Sequence, residues 1–184
     1  MAKRVKNERT AAFSHYGISP WEIEVIFDTL KRSFEVEEKQ LEVEDTQYAS
    51  MIEIEFPIPY NESFFQSFTI ERWFKIKGVL KDIKRRRGRK LFKAFLRFAG
   101  IGEDTTSVVV FPLLSKGDRQ FEMSLEKIEY LVDIVPIQLK SLPQKIEEVW
   151  YMYDEITSKW NPSIARSNSD NNYILKNNEW KMEQ

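Results

Sequence analysis

Apolar residues recur at helical spacing soon after the start of the chain. Ile23, Ile26, Phe27, Leu30 and Phe34 fall three or four apart, behind a Ser19 N-cap, Pro20 and Glu22. Ser19 and Glu22 form a capping box, and Pro20 sits at the first helical position, where its missing N–H costs nothing. The spacing predicts a helix over 20–39. Ile52, Ile54 and Phe56 instead alternate with Glu53 and Glu55, the period of two of a half-buried strand, which Pro57 and Pro59 end. From Thr69 the spacing is helical again, with Trp73, Ile76, Leu80 and Ile83 within about 80° of arc. A strand would put Phe74, Ile76 and Leu80 on one face and Lys75, Lys77 and Lys81 on the other, but few residues here are β-branched and Lys, Leu and Arg suit helices. Helix 69–87 is therefore expected, with Gly88 at its C-cap.

Further along, Phe92, Ala94, Leu96 and Phe98 share one face and Lys93 and Arg97 the other, which predicts a strand. Ser107 to Leu114 is almost continuously apolar and reads as a central strand. Ser115-Lys116-Gly117-Asp118 reads as a hairpin turn into a short strand, Gln120 to Met123. Ser124 then caps a predicted helix to Pro136. Ile146, Val149, Trp150, Tyr153, Ile156 and Trp160 predict a last helix over 143–160, with more aromatics than one core stripe needs. Residues 60–68 receive no assignment.

These elements predict an α+β fold, a mainly antiparallel sheet of about four strands flanked by about four helices. Residues 1–12 read as a flexible N-terminal segment, 13–160 as a single α+β domain, and 161–184 as a polar, Asn-rich C-terminal tail. Ile174, Leu175 and Trp180 are the tail residues able to pin it to a surface. At 184 residues with 42% hydrophobic content, the chain can fill a core without metal or disulfide staples. It has no cysteine, which removes disulfides, thiolate metal sites and thiol nucleophiles. No window of about 18 apolar residues exists, and the basic start leads into no apolar stretch. A cytoplasmic protein with no membrane partner is the expectation.

Charge changes the picture more than composition does. The chain carries −1 overall, yet Lys75 to Arg97 holds eleven Lys and Arg against Asp82, a local charge of +10. Lys84, Arg85, Arg86, Arg87, Arg89 and Lys90 crowd around Gly88, and Lys93 and Arg97 follow. Guanidinium and ammonium groups at that density suit phosphates, and Phe92, Phe95 and Phe98 between them could stack on bases. The expectation is a non-catalytic polyanion-binding protein that grips RNA or DNA phosphates through Lys84 to Lys90, with Lys93 and Arg97 in support. The alternative is a protein-interaction or assembly subunit whose basic element docks on an acidic partner or a sister subunit. The run could also fold back on the acidic 35–62 segment, where nine acids face Lys39 alone.

Candidate chemistry is sparse. His15, the single histidine, has no carboxylate spaced to make a triad and reads as a surface or packed residue. Glu53 and Glu55 share one strand face, roughly 6.5–7 Å apart, most simply as a solvated face. Gly100 and Gly102 lead into Val108-Val109-Val110, not into the helix that a phosphate loop requires. The order helix, three strands, helix resembles the core of restriction-endonuclease-like nucleases. That family holds Mg²⁺ with an Asp and a Glu-x-Lys, for which the nearest residues are Asp104, Asp118 and Glu122. Ser124 stands where the lysine belongs. No catalytic residue, metal or cofactor is assigned.

Overall fold

The structure, a computed structural model, describes residues 10–43, 47–88, 90–99, 107–143, 145–168 and 171–183. Nine strands form one sheet in the order β2-β1-β3-β4-β5-β6-β7-β8-β9. The strands are β1 (Thr10–Tyr16), β2 (Glu35–Gln40), β3 (Tyr48–Phe56), β4 (Leu91–Phe98), β5 (Val108–Leu113), β6 (Ile146–Asp154), β7 (Lys159–Ser167), β8 (Asn172–Lys176) and β9 (Glu179–Met182). The helices are α1 (Pro20–Lys31), α2 (Glu62–Ser67), α3 (Ile70–Arg87), α4 (Asp118–Lys127) and α5 (Ile134–Leu139), with a 3-10 turn at Ile128–Leu131. The expected four-stranded, mainly antiparallel sheet is therefore overturned. The sheet is mixed: β1 pairs β2, β3 pairs β4 and β5 pairs β6 in parallel, and the other neighbours are antiparallel.

Several local expectations change with it. Predicted helix 20–39 stops at Lys31, and Glu35 to Gln40 become the edge strand β2; pairing with β1 overrides the helix propensity of Glu and Lys. Its exposed charges protect an open edge. Predicted helix 143–160 is the hairpin β6–β7, because Val149 and Tyr151 point inward while Glu148, Trp150 and Met152 point outward. Those aromatic and β-branched residues match both periods, and their strand preference wins. The predicted turn and strand at 115–123 are the start of α4, on which Phe121, Ser124, Leu125 and, just beyond, Ile128 recur as buried residues at helical spacing. The unassigned segment supplies α2, capped by Asn61 and burying Phe64. The Asn-rich segment continues the same sheet as β7, β8 and β9, with Asn177 and Asn178 at positive φ in a two-residue turn.

Helices cover one face only. Phe13 of β1, Phe56 of β3, Phe98 of β4, Phe111 of β5 and Tyr151 of β6 pack inward against α1, α2, α3 and α4 residues in one core. Phe56 stacks on Phe98 at 5.1 Å, and Phe64 meets Trp73 edge-on at 5.8 Å. The β1–β2 and β5–β6 connections step in opposite directions from strands that run the same way. To leave their helices on one face they must differ in hand, so one departs from the usual right-handed crossover. The consequence is a sheet whose second face carries no described helix. Among the described residues, no helix is long and apolar enough to cross a membrane.

Candidate functional site on the open face of the sheet

Register places one continuous row across the uncovered face: Glu37, Ala12, Glu55, Arg97, Val110, Trp150, Ile164, Ile174 and Lys181, one from each strand. Its centre is a paired charge network. Arg97 donates through Nε to Glu55 at 3.2 Å and through a terminal nitrogen to Glu148. The Trp150 indole donates to Glu148 at 3.0 Å, and the Arg166 guanidinium lies 4.8 Å from the Trp150 ring centre. Phe95 meets Trp150 edge-on at 6.1 Å. The four ions sum to zero, two Arg against two Glu. Beside them an apolar strip runs from Val110, fully buried on this face, through Trp150 and Ile164 to Ile174, with Met152 exposed next to it.

Burial alone would raise the Glu148 carboxyl, but hydrogen bonds from Trp150 and Arg97 and the charges of Arg97 and Arg166 outweigh it. The group sits below the ordinary carboxylate range. A carboxyl depressed in the folded state contributes stability above its unfolded pKa and loses it as pH falls through the folded one. Thermal stability should therefore drop as pH falls below about 4. Glu148→Gln should melt lower at pH 7 and show a shallower acid slope in the same differential scanning series. Equal slopes would count against the network.

Five of the residues expected to grip phosphate, Lys84, Arg85, Arg86, Arg87 and Arg97, have partners within the protein, while Arg85 and Arg86 remain about half exposed. Lys84, buried, donates to the Ser115 and Lys116 carbonyls at 2.9 Å each, and burial lowers its pKa against the opposing charge of Asp118. Arg85 pairs with Glu122 of α4 at 2.7 Å. Arg86 and Arg87 both bind the buried Glu22 of α1, at 3.0 and 2.8 Å. Arg97 belongs to the open-face network, and Lys93 lies 4.9 Å from the Tyr48 ring centre. Lys90 is exposed in the turn after α3, and Arg89 lies outside the described residues. Earlier on α3, Lys77 bonds Glu126 and Glu129, and Lys81 bonds Glu126. The helix is thus clamped between α1 and α4. Arg85, Arg86 and Arg87 pair with carboxylates of those two helices, and Glu55 of the acidic 35–62 segment pairs with Arg97 of β4.

Phe92 and Phe98 are core residues, which leaves Phe95 alone on the outer face. Asp118 and Glu122 sit on a helix, not on strands, and Asp104, Gly100 and Gly102 lie outside the described residues. His15 is buried on the helix side, its Nε2 2.5 Å from Glu38 of β2. Among the described residues no group of three or more His, Cys, Asp or Glu is placed to hold a metal ion. The open-face network escapes sequence reading because Glu55, Arg97, Glu148 and Arg166 are brought together only by strand order. Arg97, Glu55 and Trp150 each stand out in the sequence for another reason, while Glu148 and Arg166 carry no signal of their own. Comparison with protein-family models, curated proteins and solved structures finds no match.

Proposed function

We propose that this chain is a non-catalytic protein-interaction domain whose docking surface is the β5–β8 part of the open face. The observation that supports it is the apolar strip Trp150, Ile164 and Ile174, with exposed Met152 beside it and flanked by ions that are already paired with one another. A paired, net-neutral network is covered by a partner at lower cost than isolated charges, and aromatic and Arg side chains anchor such surfaces. The partner fitting this surface is a protein with an apolar strip and few unpaired charges. A polyanion would have to compete with Glu22 and Glu122 for Arg85, Arg86 and Arg87.

Photo-crosslinking residues placed at Met152 or Ile174 should yield one discrete partner, with none from the exposed control position Lys75. With that partner purified, Met152→Asp and Ile174→Asp should each weaken binding about tenfold or more, with unchanged melting temperature. Crosslinking equal to the control, or binding indifferent to both substitutions, would reject the surface. Crosslinks between copies of this chain, with a dimer in light scattering, would identify the partner as a sister subunit.

A further inference from the structure

The sheet ends in two open edges, β2 on one side and β9 on the other, and the two are built differently. In an antiparallel hairpin, opposed residues alternate between pairs that exchange backbone hydrogen bonds and pairs that do not. Glu183 donates to the Asn172 carbonyl at 2.8 Å, which fixes that alternation for β8 and β9. Lys181 and Glu179 therefore bond to Ile174 and Lys176, their register partners, while Trp180 and Met182 turn their N–H and C=O groups outward. Among the described residues no strand lies beyond them. The side chains sort in the same alternation. Glu179, Lys181 and Glu183 stand on the open face, and Trp180 and Met182 on the side of the helices, where Trp180 packs against the core.

Such an edge can pair with a second copy of itself only in antiparallel registers that match its outward residues to one another. The register centred on Lys181 sets Lys181 against Lys181 and Glu179 against Glu183, and like charges directly opposite are destabilising. The register centred on Met182 sets Lys181 against Glu183 but carries Trp180 past the described residues. The register centred on Trp180 sets Glu179 against the partner's Lys181, twice by symmetry, and the two Trp180 side chains against each other. Opposite charges and aromatic rings are cross-strand pairs that stabilise a sheet, and of the three this register alone supplies both. Within one chain Glu179 and Lys181 lie 3.8 Å apart with both side chains largely exposed. Exposed pairs of that kind are worth little, so exchanging it across the two-fold costs little. β2 lacks this self-complementarity. It carries Glu35, Glu37 and Glu38 against Lys39, and registers centred on it oppose Glu37 to Glu37 or Glu38 to Glu38. Growth from that edge is disfavoured, and the assembly closes at two copies.

We infer that β9 is a self-association edge: two copies join β9 to β9, antiparallel about a two-fold axis at Trp180, and one sheet runs through both. The contact uses the edge of the sheet, not the β5–β8 face, and stands independently of the docking surface. The test is sedimentation equilibrium of the full chain, with charge exchanges at the exposed Glu179 and Lys181. The unaltered protein should form a dimer that dissociates on dilution and with added salt. Lys181→Glu and Glu179→Lys each turn two attractions into two repulsions, and each should weaken the dimer about tenfold or more at unchanged melting temperature. Mixed in equal amounts, the two variants should dimerise again, because every Glu then faces a Lys. Met152→Asp, on the sheet face, should leave the dimer intact. An unaltered protein that stays monomeric into the millimolar range, or a Lys181→Glu variant that dimerises as well as it does, would overturn the inference. A mixture of the two variants that stays monomeric would overturn the register at Trp180. A dimer lost in Met152→Asp but kept in both charge variants would move self-association to the sheet face and reject the edge.

Discussion

Gly17→Ala is expected to lower the melting temperature by about 10 °C or more, while the same substitution at Gly78 leaves it unchanged or raises it. Gly17 has φ +67°, and a Cβ there would lie 2.1 Å from the Ala49 carbonyl oxygen, with backbone atoms of Ala49 and Ser50 at 3.1 Å. The left-handed conformation alone costs an alanine about 1–2 kcal/mol. The clash adds more, since its partner is backbone of β3 and can give only by moving a strand. A total of about 3–5 kcal/mol places this among the larger single-residue effects, and each kcal/mol moves a chain of this size by roughly 2–4 °C. Gly78 lies inside α3, and a Cβ added there would meet nothing within 4 Å, so alanine should contribute about 0.5–1 kcal/mol of helix stability. Paired thermal melts decide the matter. A Gly17→Ala protein that melts within two or three degrees of the unaltered one would mean that the turn after β1 and the start of β3 do not approach so closely.

The contrast between those two glycines shows what the sequence could and could not reveal. A glycine before a capped helix reads as a turn, but its need for zero side chain comes from Ala49, more than thirty residues away. Elements dominated by one period were legible: β3, β4, β5 and the start of α1; α3 allows a strand alternation as well, and its Lys, Leu and Arg content is what points to helix. Those compatible with two periods were not, and Ile146 to Trp160 fits a helical stripe as well as the alternation it adopts. The density of cations on α3 was equally visible, and its meaning depended on contacts the local sequence does not carry. Glu22 lies 65 residues from Arg87 and Glu122 lies 37 from Arg85. A run of Lys and Arg looks the same whether carboxylates from neighbouring helices or phosphates from outside will meet it.

Glu22→Ala should be strongly destabilising and should also turn the interior clamp back into an anion-binding surface. The Glu22 carboxylate is almost wholly buried. One oxygen accepts the Ser19 amide at 2.7 Å and the Arg87 guanidinium at 2.8 Å, and the other accepts Arg86 at 3.0 Å. Removing it undoes the capping box, worth about 1 kcal/mol, and strands the Arg87 guanidinium, whose buried Nε makes no hydrogen bond even with Glu22 in place. Breaking a fully buried pair costs about 3–5 kcal/mol. Both guanidiniums keep some exposure to water, so about 2–4 kcal/mol in all is the expected loss in urea denaturation. Glu22→Gln, which keeps an acceptor for Ser19 but not the charge, should fall between. Released guanidiniums should then hold a sulfated polyanion that the unaltered protein holds weakly. At a temperature where both proteins are folded, Glu22→Gln should elute from heparin at higher salt than the unaltered chain. The double variant Glu22→Gln/Arg86→Gln should return to early elution. Tight, salt-resistant retention of the unaltered protein would show that the α3 cations face outward in solution, and the polyanion reading would then displace the interaction surface on the sheet.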